Sequence, residues 1–302
     1  MEDIINRIIK ANKILFGSSC NIKKIDVGFT NTIFDVNNIY IVKICNNINN
    51  EDNLKKEINF YLSNKDNNLI PKLYYYNTDK EDVPYYYEVL EKINGVSLYC
   101  IWHTLKEKER ENVIRQLCLS LKKIHKNTEK NGDWYKIISN KFSKLYKKSI
   151  SLNLFSNIEK ELIDKAYNKF SYFLGIEEFV LLHNDLHFDN IIYNNGKIKL
   201  IDFERSVYAP IDFELDIIYR MVRKPWKFAS EATEKYIKLD DYKNIMEYIR
   251  KYYHEMFVTN NLYERLAIYD MVYFFNQYIE YPSIISLKED ILKAAKIVVG
   301  DK

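Results

Sequence analysis

Residues 183–204, HNDLHFDNIIYNNGKIKLIDFE, constrain this chain more than any other stretch. The apolar run VLL just ahead of it, then IIY and KIKLI within it, read as short β segments bounded by polar residues. Asp and Asn are poor strand formers. Yet Asp185, Asn190 and Asp202 stand at the edges of these runs, where their side chains can converge. Hard oxygen donors held that way suit Mg²⁺, which favours one or two protein ligands plus phosphate oxygens. A carboxylate beside such a centre is also placed to take a proton from an attacking hydroxyl.

The rest of the chain changes character near Gly95. Residues 21–46, NIKKIDVGFTNTIFDVNNIYIVKICN, alternate β-favouring runs with turn signals at Gly28 and Asn37-Asn38, which predicts two consecutive hairpins. In EDNLKKEINFYLSNK (51–65), Leu54, Ile58 and Leu62 fall at helical spacing. KLYYYNTD and VPYYYEVLEKI are β-rich and end at the turn signal Asn94-Gly95. Beyond it, Thr104-x-x-Glu107 reads as a capping box opening a helix over 104–127, with Val113, Ile114, Leu117, Leu121 and Ile124 on one face. A helix is predicted over roughly 156–173, strands over 179–182, 191–193 and 197–201, and mostly helix from Phe213 onward. The expected fold class is α+β in two lobes. A small antiparallel β-sheet lobe takes residues 1–94, opened by an amphipathic helix, and a larger, mainly helical lobe takes 95–302.

Composition removes several functions. A 302-residue chain with 47% hydrophobic and 29% charged residues buries sizeable cores and is not a disordered segment. A net charge of +3 gives no global attraction for nucleic acid, and the basic stretch KFSKLYKKS (141–149) reads as a solvated helix face. Cys20, Cys45, Cys100 and Cys118 lie far apart without a C-x-x-C pair, which argues against a zinc site or a disulfide framework and fits a reducing compartment. No apolar run approaches a membrane span, and charges interrupt the N-terminal apolar residues as no signal peptide would allow. A soluble, cytoplasmic monomer without nucleic-acid or membrane partners is expected.

HNDLHFDN followed by IDFE resembles the catalytic and metal loops of the aminoglycoside phosphotransferase family, written there H-G-D-x-H-x-x-N and then I-D-F/W-E. That family includes choline and other small-molecule kinases and is related in fold to protein kinases, so the resemblance implies a protein-kinase-like fold. It implies Asp185 as catalytic base, Asn190 and Asp202 as Mg²⁺ ligands, and His187 as a residue that orders the loop. This chain has Asn184 where Gly is commoner and Asp189 where Gly is frequent.

Phosphoryl transfer needs further parts upstream in a fixed order. Lys43 in IYIVKI stands where a strand lysine holds the α/β-phosphates, and Glu57 in KKEINFY where a helix glutamate pairs with it. VGFTNTIF (27–34), with Gly28, Asn31 and Thr32, resembles the loop that covers the phosphates. YEVLEKINGVSL (87–98) resembles the interlobe hinge, about 90–94, with Leu90 as gatekeeper and Glu91 and Ile93 offering backbone groups to the purine. Alone, Lys43 is an ordinary strand-edge charge, Glu57 a helix surface residue and Gly28 a turn. Their order along some 200 residues is what carries the reading.

The resemblance implies ATP or GTP as donor and a small, cationic acceptor, an aminoglycoside foremost. Glu204, Asp212, Glu214 and Glu231 would draw a polyamine by field and hydrogen bonding, with Trp226 as an aromatic wall. Asp216 matches a family Asp that braces the catalytic loop. A choline or ethanolamine kinase is the competing reading. It needs an aromatic cage, for which Tyr219, Trp226, Phe228, Tyr273, Phe274 and Tyr278 supply material. EKINGVSL is closer to the aminoglycoside 2″-phosphotransferase type, and a macrolide kinase is a further alternative. A catalytically inactive kinase-like binding module would be expected to lack Asp185, Asn190, Asp202 or Lys43, and all four are present.

Overall fold

The computed structural model describes residues 1–17, 19–25 and 31–301. They pack as two compact units, and neither is one continuous stretch of chain. The first comprises Met1–Ile124, His183–Ser206 and Ala229–Ile237, the second His125–Leu182, Val207–Phe228 and Lys238–Lys302. A cut at 94/95 assigns 95–124 and 183–206 to a helical lobe; in the structure these segments pack with the first unit.

The first unit is built on β1 (Ile22–Ile25), β2 (Thr32–Val36), β3 (Tyr40–Ile44), β4 (Leu73–Asn77) and β5 (Tyr87–Glu91), an antiparallel sheet in the order β1-β2-β3-β5-β4. The hairpin β2–β3 turns at Asn37 and Asn38, both left-handed at φ 59° and 57°, a turn that asparagine tolerates and that matches the strand twist. Alternation then sends Phe34, Val36, Val42, Ile44, Tyr87 and Val89 to one apolar cluster, which Ile5 and Ile8 of the opening helix Glu2–Ala11 join. The helix Glu51–Ser63 buries Leu54, Glu57, Ile58, Phe60 and Tyr61.

After β6 (Val96–Ser97) the chain forms β7 (Thr128–Asp133) and β8 (Ile176–Leu182) in the second unit and returns to the first for β9 (Ile191–Asn194) and β10 (Lys197–Leu200). It then adds β11 (Val207–Ala209) beside β8. The three-stranded sheets are β10-β9-β6 in the first unit and β11-β8-β7 in the second. Gly95 is required at the entry to β6: at φ +144° its backbone lies so close to β9 that a Cβ would stand 2.4 Å from the Tyr193 carbonyl oxygen.

The capping box expected at Thr104 does not form. The Thr104 hydroxyl donates to the Ile101 carbonyl inside a short turn, and the helix begins at Glu107, with Glu109 reaching back to the Lys106 N–H at 2.8 Å. A capping box does open the helix Asn157–Asn168, between Ser156 and Glu159. The second unit is otherwise mainly helical, with its longest helices at Trp134–Ser151, Leu262–Glu280 and Ile285–Val299. Among the described residues no helix is long and apolar enough to cross a membrane.

Candidate active site

The site is assembled wholly within the first unit. Lys43, at the buried end of β3, points its ammonium at Glu57 Oε2 at 2.5 Å and Asp202 Oδ1 at 2.8 Å, with Glu204 Oε2 3.9 Å away. Burial works against its charge, but Glu57, Asp202, Glu88 and Glu204 outweigh burial and hold its pKa well above the ordinary lysine value. Glu57 is itself fixed. Its Oε1 accepts the Phe203 N–H at 3.2 Å and sits 3.5 Å from the Tyr61 hydroxyl.

Phe203 explains why the IDFE segment keeps its place. Its ring stacks on Phe60 at 3.9 Å between centroids, meets Tyr61 edge-on at 5.4 Å, and lies 4.5 Å from the His183 ring. His183 Nε2 donates to the Ile201 carbonyl at 3.1 Å. The IDFE segment is thus pinned to the helix that carries Glu57. Asp202 adopts φ 64°, a conformation few L-residues accept, and turns its carboxylate toward Lys43. Burial would raise the Asp202 pKa, but Lys43 overcomes it and holds the carboxyl below its ordinary value.

Asp185 and Asn190 belong to one loop stabilised from inside. The Asn190 amide donates to the Asp185 carbonyl at 2.8 Å and lies 3.3 Å from His187 Nε2, while the Asn190 carbonyl accepts the Ile201 N–H at 3.0 Å. The Asp185 carboxylate is partly exposed, 3.9 Å from His187 Nε2 and 3.7 Å from Arg205 Nε. Arg205 is an exposed cation beside the expected base that motif reading did not single out. Asn184 takes the left-handed conformation at φ 58° and donates to the Arg205 carbonyl at 3.1 Å. Asp189 accepts the Ser97 hydroxyl at 2.6 Å.

Of the residues expected to cover the phosphates, Gly28 lies outside the described residues. Asn31 donates to Glu204 Oε2 at 3.2 Å, and the Thr32 hydroxyl accepts from Asn46 at 3.0 Å. At the expected hinge, Leu90 is buried on β5, the Glu91 carboxylate holds Lys199 with both oxygens at 2.7 and 2.8 Å, and Ile93 follows the strand half-buried. Oxygens of Glu57, Asp202 and Glu204 lie within 4.8 Å of one another. Glu57 is committed to Lys43 and Phe203, so a divalent cation at this cluster would be held by Asp202 and Glu204, a hard-oxygen pair of the kind Mg²⁺ takes.

The expected acceptor residues do not come together as a set. Glu204 joins Lys43, Asp202 and Asn31. Asp212 is fully buried in the second unit, gripped by Arg265 at 2.8 Å through two nitrogens and by the Tyr269 hydroxyl at 2.9 Å. Glu214, also fully buried, accepts from His125 Nε2 at 3.2 Å, and His125 Nδ1 takes the Tyr253 hydroxyl at 2.9 Å. Both acids serve as scaffold because a buried carboxylate must be paired. Their chain position just after the IDFE segment gave no sign of this. Trp226 and Glu231 are exposed. Asp216 is taken up by Arg220 four residues on.

Three of the six aromatics considered for a cage already carry cations. The Arg220 guanidinium lies 4.0 Å from the Tyr273 ring centre, that of Arg223 4.1 Å from Tyr219, and the Lys224 ammonium 5.7 Å from Phe274. A small pocket in this unit is lined by Arg223, Lys224 and Lys227 with Tyr273, and Asp290 is its one acid. None of the five expected acceptor residues lines it.

Solved structures of aminoglycoside phosphotransferases resemble the chain over nearly its whole length. The ADP-bound aminoglycoside phosphotransferase APH(2'')-Ib has a TM-score of 0.71 at 18% identity, covering 98% of this chain and 99% of that one. The gentamicin complex of APH(2")-IIa has a TM-score of 0.66 at 17% identity, over 100% and 97% of the two chains. The ternary complex of APH(4)-Ia with ADP and hygromycin B has a TM-score of 0.60 at 15% identity, over 97% and 98%. At these identities the likeness shows the fold, and it is the kinase-like α+β fold expected from the sequence. No curated protein matches the chain. The model of the phosphotransferase enzyme family matches residues 21–248, and the chain belongs to that family.

Proposed function

We propose that this protein is a Mg²⁺-dependent small-molecule kinase that transfers the γ-phosphoryl group of ATP or GTP to a hydroxyl of a cationic acceptor, an aminoglycoside foremost. The observation that carries this reading is Lys43, buried and held between Glu57 and Asp202 in the unit that also holds Asp185 and Asn190. The aminoglycoside assignment is supported by the whole-chain likeness to phosphotransferases solved with gentamicin and hygromycin B.

Each residue has one task. Lys43 neutralises charge on the donor phosphates, and Glu57 keeps it extended and protonated. Asp202, Asn190 and Glu204 would hold Mg²⁺, which neutralises phosphate charge and favours departure of the nucleoside diphosphate. Asp185 orients the acceptor hydroxyl and accepts its proton as the oxygen–phosphorus bond forms. The bond to the bridging oxygen breaks, leaving its electron pair on the diphosphate. Asn190 fixes Asp185 through its carbonyl. The reaction is driven mostly by positioning and charge neutralisation. With Asp212 and Glu214 sequestered, the acids left to meet a polyamine are exposed ones such as Glu231, together with Asp185 itself.

The test is nucleoside diphosphate release by the purified protein, with MgATP and MgGTP separately. Gentamicin, kanamycin, choline, ethanolamine and a macrolide are added one at a time. Stimulation by aminoglycosides, abolished in Asp185→Ala, is the expected outcome. Stimulation by choline alone would overturn the acceptor assignment and leave the kinase standing.

A further inference from the structure

Glu88 is a buried carboxyl group that neither the motif nor the proposed chemistry uses. It lies on β5 directly opposite Lys43 in the β3–β5 register, so the two side chains share one face of the sheet. It is 0% exposed, and no N–H or hydroxyl among the described residues donates to either of its carboxyl oxygens. Lys43 already answers three other carboxylates, Glu57, Asp202 and Glu204. A fourth negative charge, dry and unpaired, is not sustainable beside them; a proton is.

We propose that Glu88 is a positioning residue: as a neutral carboxylic acid it donates its O–H to Glu57 and so holds the Glu57 carboxylate on Lys43. Burial acts on Glu88 most strongly and the Glu57 charge next, both pushing its pKa well above the ordinary glutamate value, while Lys43 opposes them. An acid that donates to a carboxylate makes a charge-assisted bond, stronger than one between neutral groups. Glu57 would then be held on two sides, by Lys43 and Phe203 at distances the structure gives and by Glu88 through its proton. The inference rests on the phosphotransfer reading, because holding Glu57 matters only if Lys43 receives phosphate.

The experiment compares Glu88→Gln and Glu88→Met with the parent in the full chain. It reads the Kd for MgATP and MgGTP by calorimetry, kcat and KM for nucleotide, and the melting temperature. Glu88→Gln keeps an N–H donor and is expected to stay close to the parent in Kd and kcat. Glu88→Met loses the donor and is expected to fall about tenfold in kcat/KM for nucleotide, the scale of one lost hydrogen bond. It should melt no lower than the parent, since a buried acid has been removed. Parent-like turnover of Glu88→Met overturns the inference. So does a Glu88→Gln variant as slow as Glu88→Met, which would mean that the charge itself is needed. A parent that binds neither nucleotide would overturn the phosphotransfer reading and this inference together, and that is seen before any variant is compared.

Discussion

Asn184 stands where the family pattern commonly has glycine, and its φ of 58° shows why. The position needs the left-handed conformation, which glycine accepts freely and asparagine better than other residues. Asn184→Gly should therefore leave urea stability nearly unchanged, whereas Asn184→Val should lose about 1–2 kcal/mol. Equal stability of the two variants would show that the backbone there relaxes. One residue on, the chemistry itself is at stake. Asp185→Asn should lower kcat by at least about 10²-fold while MgATP still binds, read by steady-state kinetics beside calorimetry. Parent-rate turnover would remove Asp185 from the role of base. Residues of this kind were legible because Asp, Asn and Lys at fixed spacing have few chemical uses. Glu88 and Arg205 were not, because what sets them apart is a cross-strand register and a loop approach, neither of which is written in local spacing.

Helix starts show where local patterns mislead. Thr104 and Ser156 both stand three residues before a glutamate, and only Ser156 caps. The difference lies upstream: residues 102–104 are already wound into a short turn, so the Thr104 hydroxyl is spent on Ile101. Ser156 is extended at φ −68°, ψ 167°, the geometry a capping residue needs. Ser156→Ala is expected to cost about 1 kcal/mol. Thr104→Ala should stay within about 0.5 kcal/mol, as for other surface changes. Thermal melts of the two variants decide this, and a larger loss at Thr104 would reverse the assignment. Strand existence was easier to read than helix boundaries, since alternation around Asn37-Asn38 and at 191–201 leaves one register that buries the apolar face. β7, TEKNGD, has no such alternation and forms by pairing with β8, so nothing local announced it.

The chain leaves and re-enters each compact unit, and this bears on how nucleotide should act on the whole molecule. Lys43 and Glu57 precede the excursion through 125–182, whereas Asp185, Asn190, Asp202 and Glu204 follow it, yet all belong to one unit. A sequence cut near residue 94 could not show this, because membership of a unit is decided by packing partners such as Phe60 for Phe203. If phosphate binds at Lys43, ligand binding must tie these two distant segments together and oppose their separation. At a free MgATP concentration of about 100 times Kd, the full chain should gain about 2.7 kcal/mol of stability. Adding EDTA should remove most of that gain, and Lys43→Ala should abolish it. Hydrogen exchange on the same samples should slow first in residues 40–63 and 183–206, the segments that carry the bound charges. Slowing confined to 238–302 would place the nucleotide elsewhere and sink the Lys43 assignment, whatever the melting temperature did.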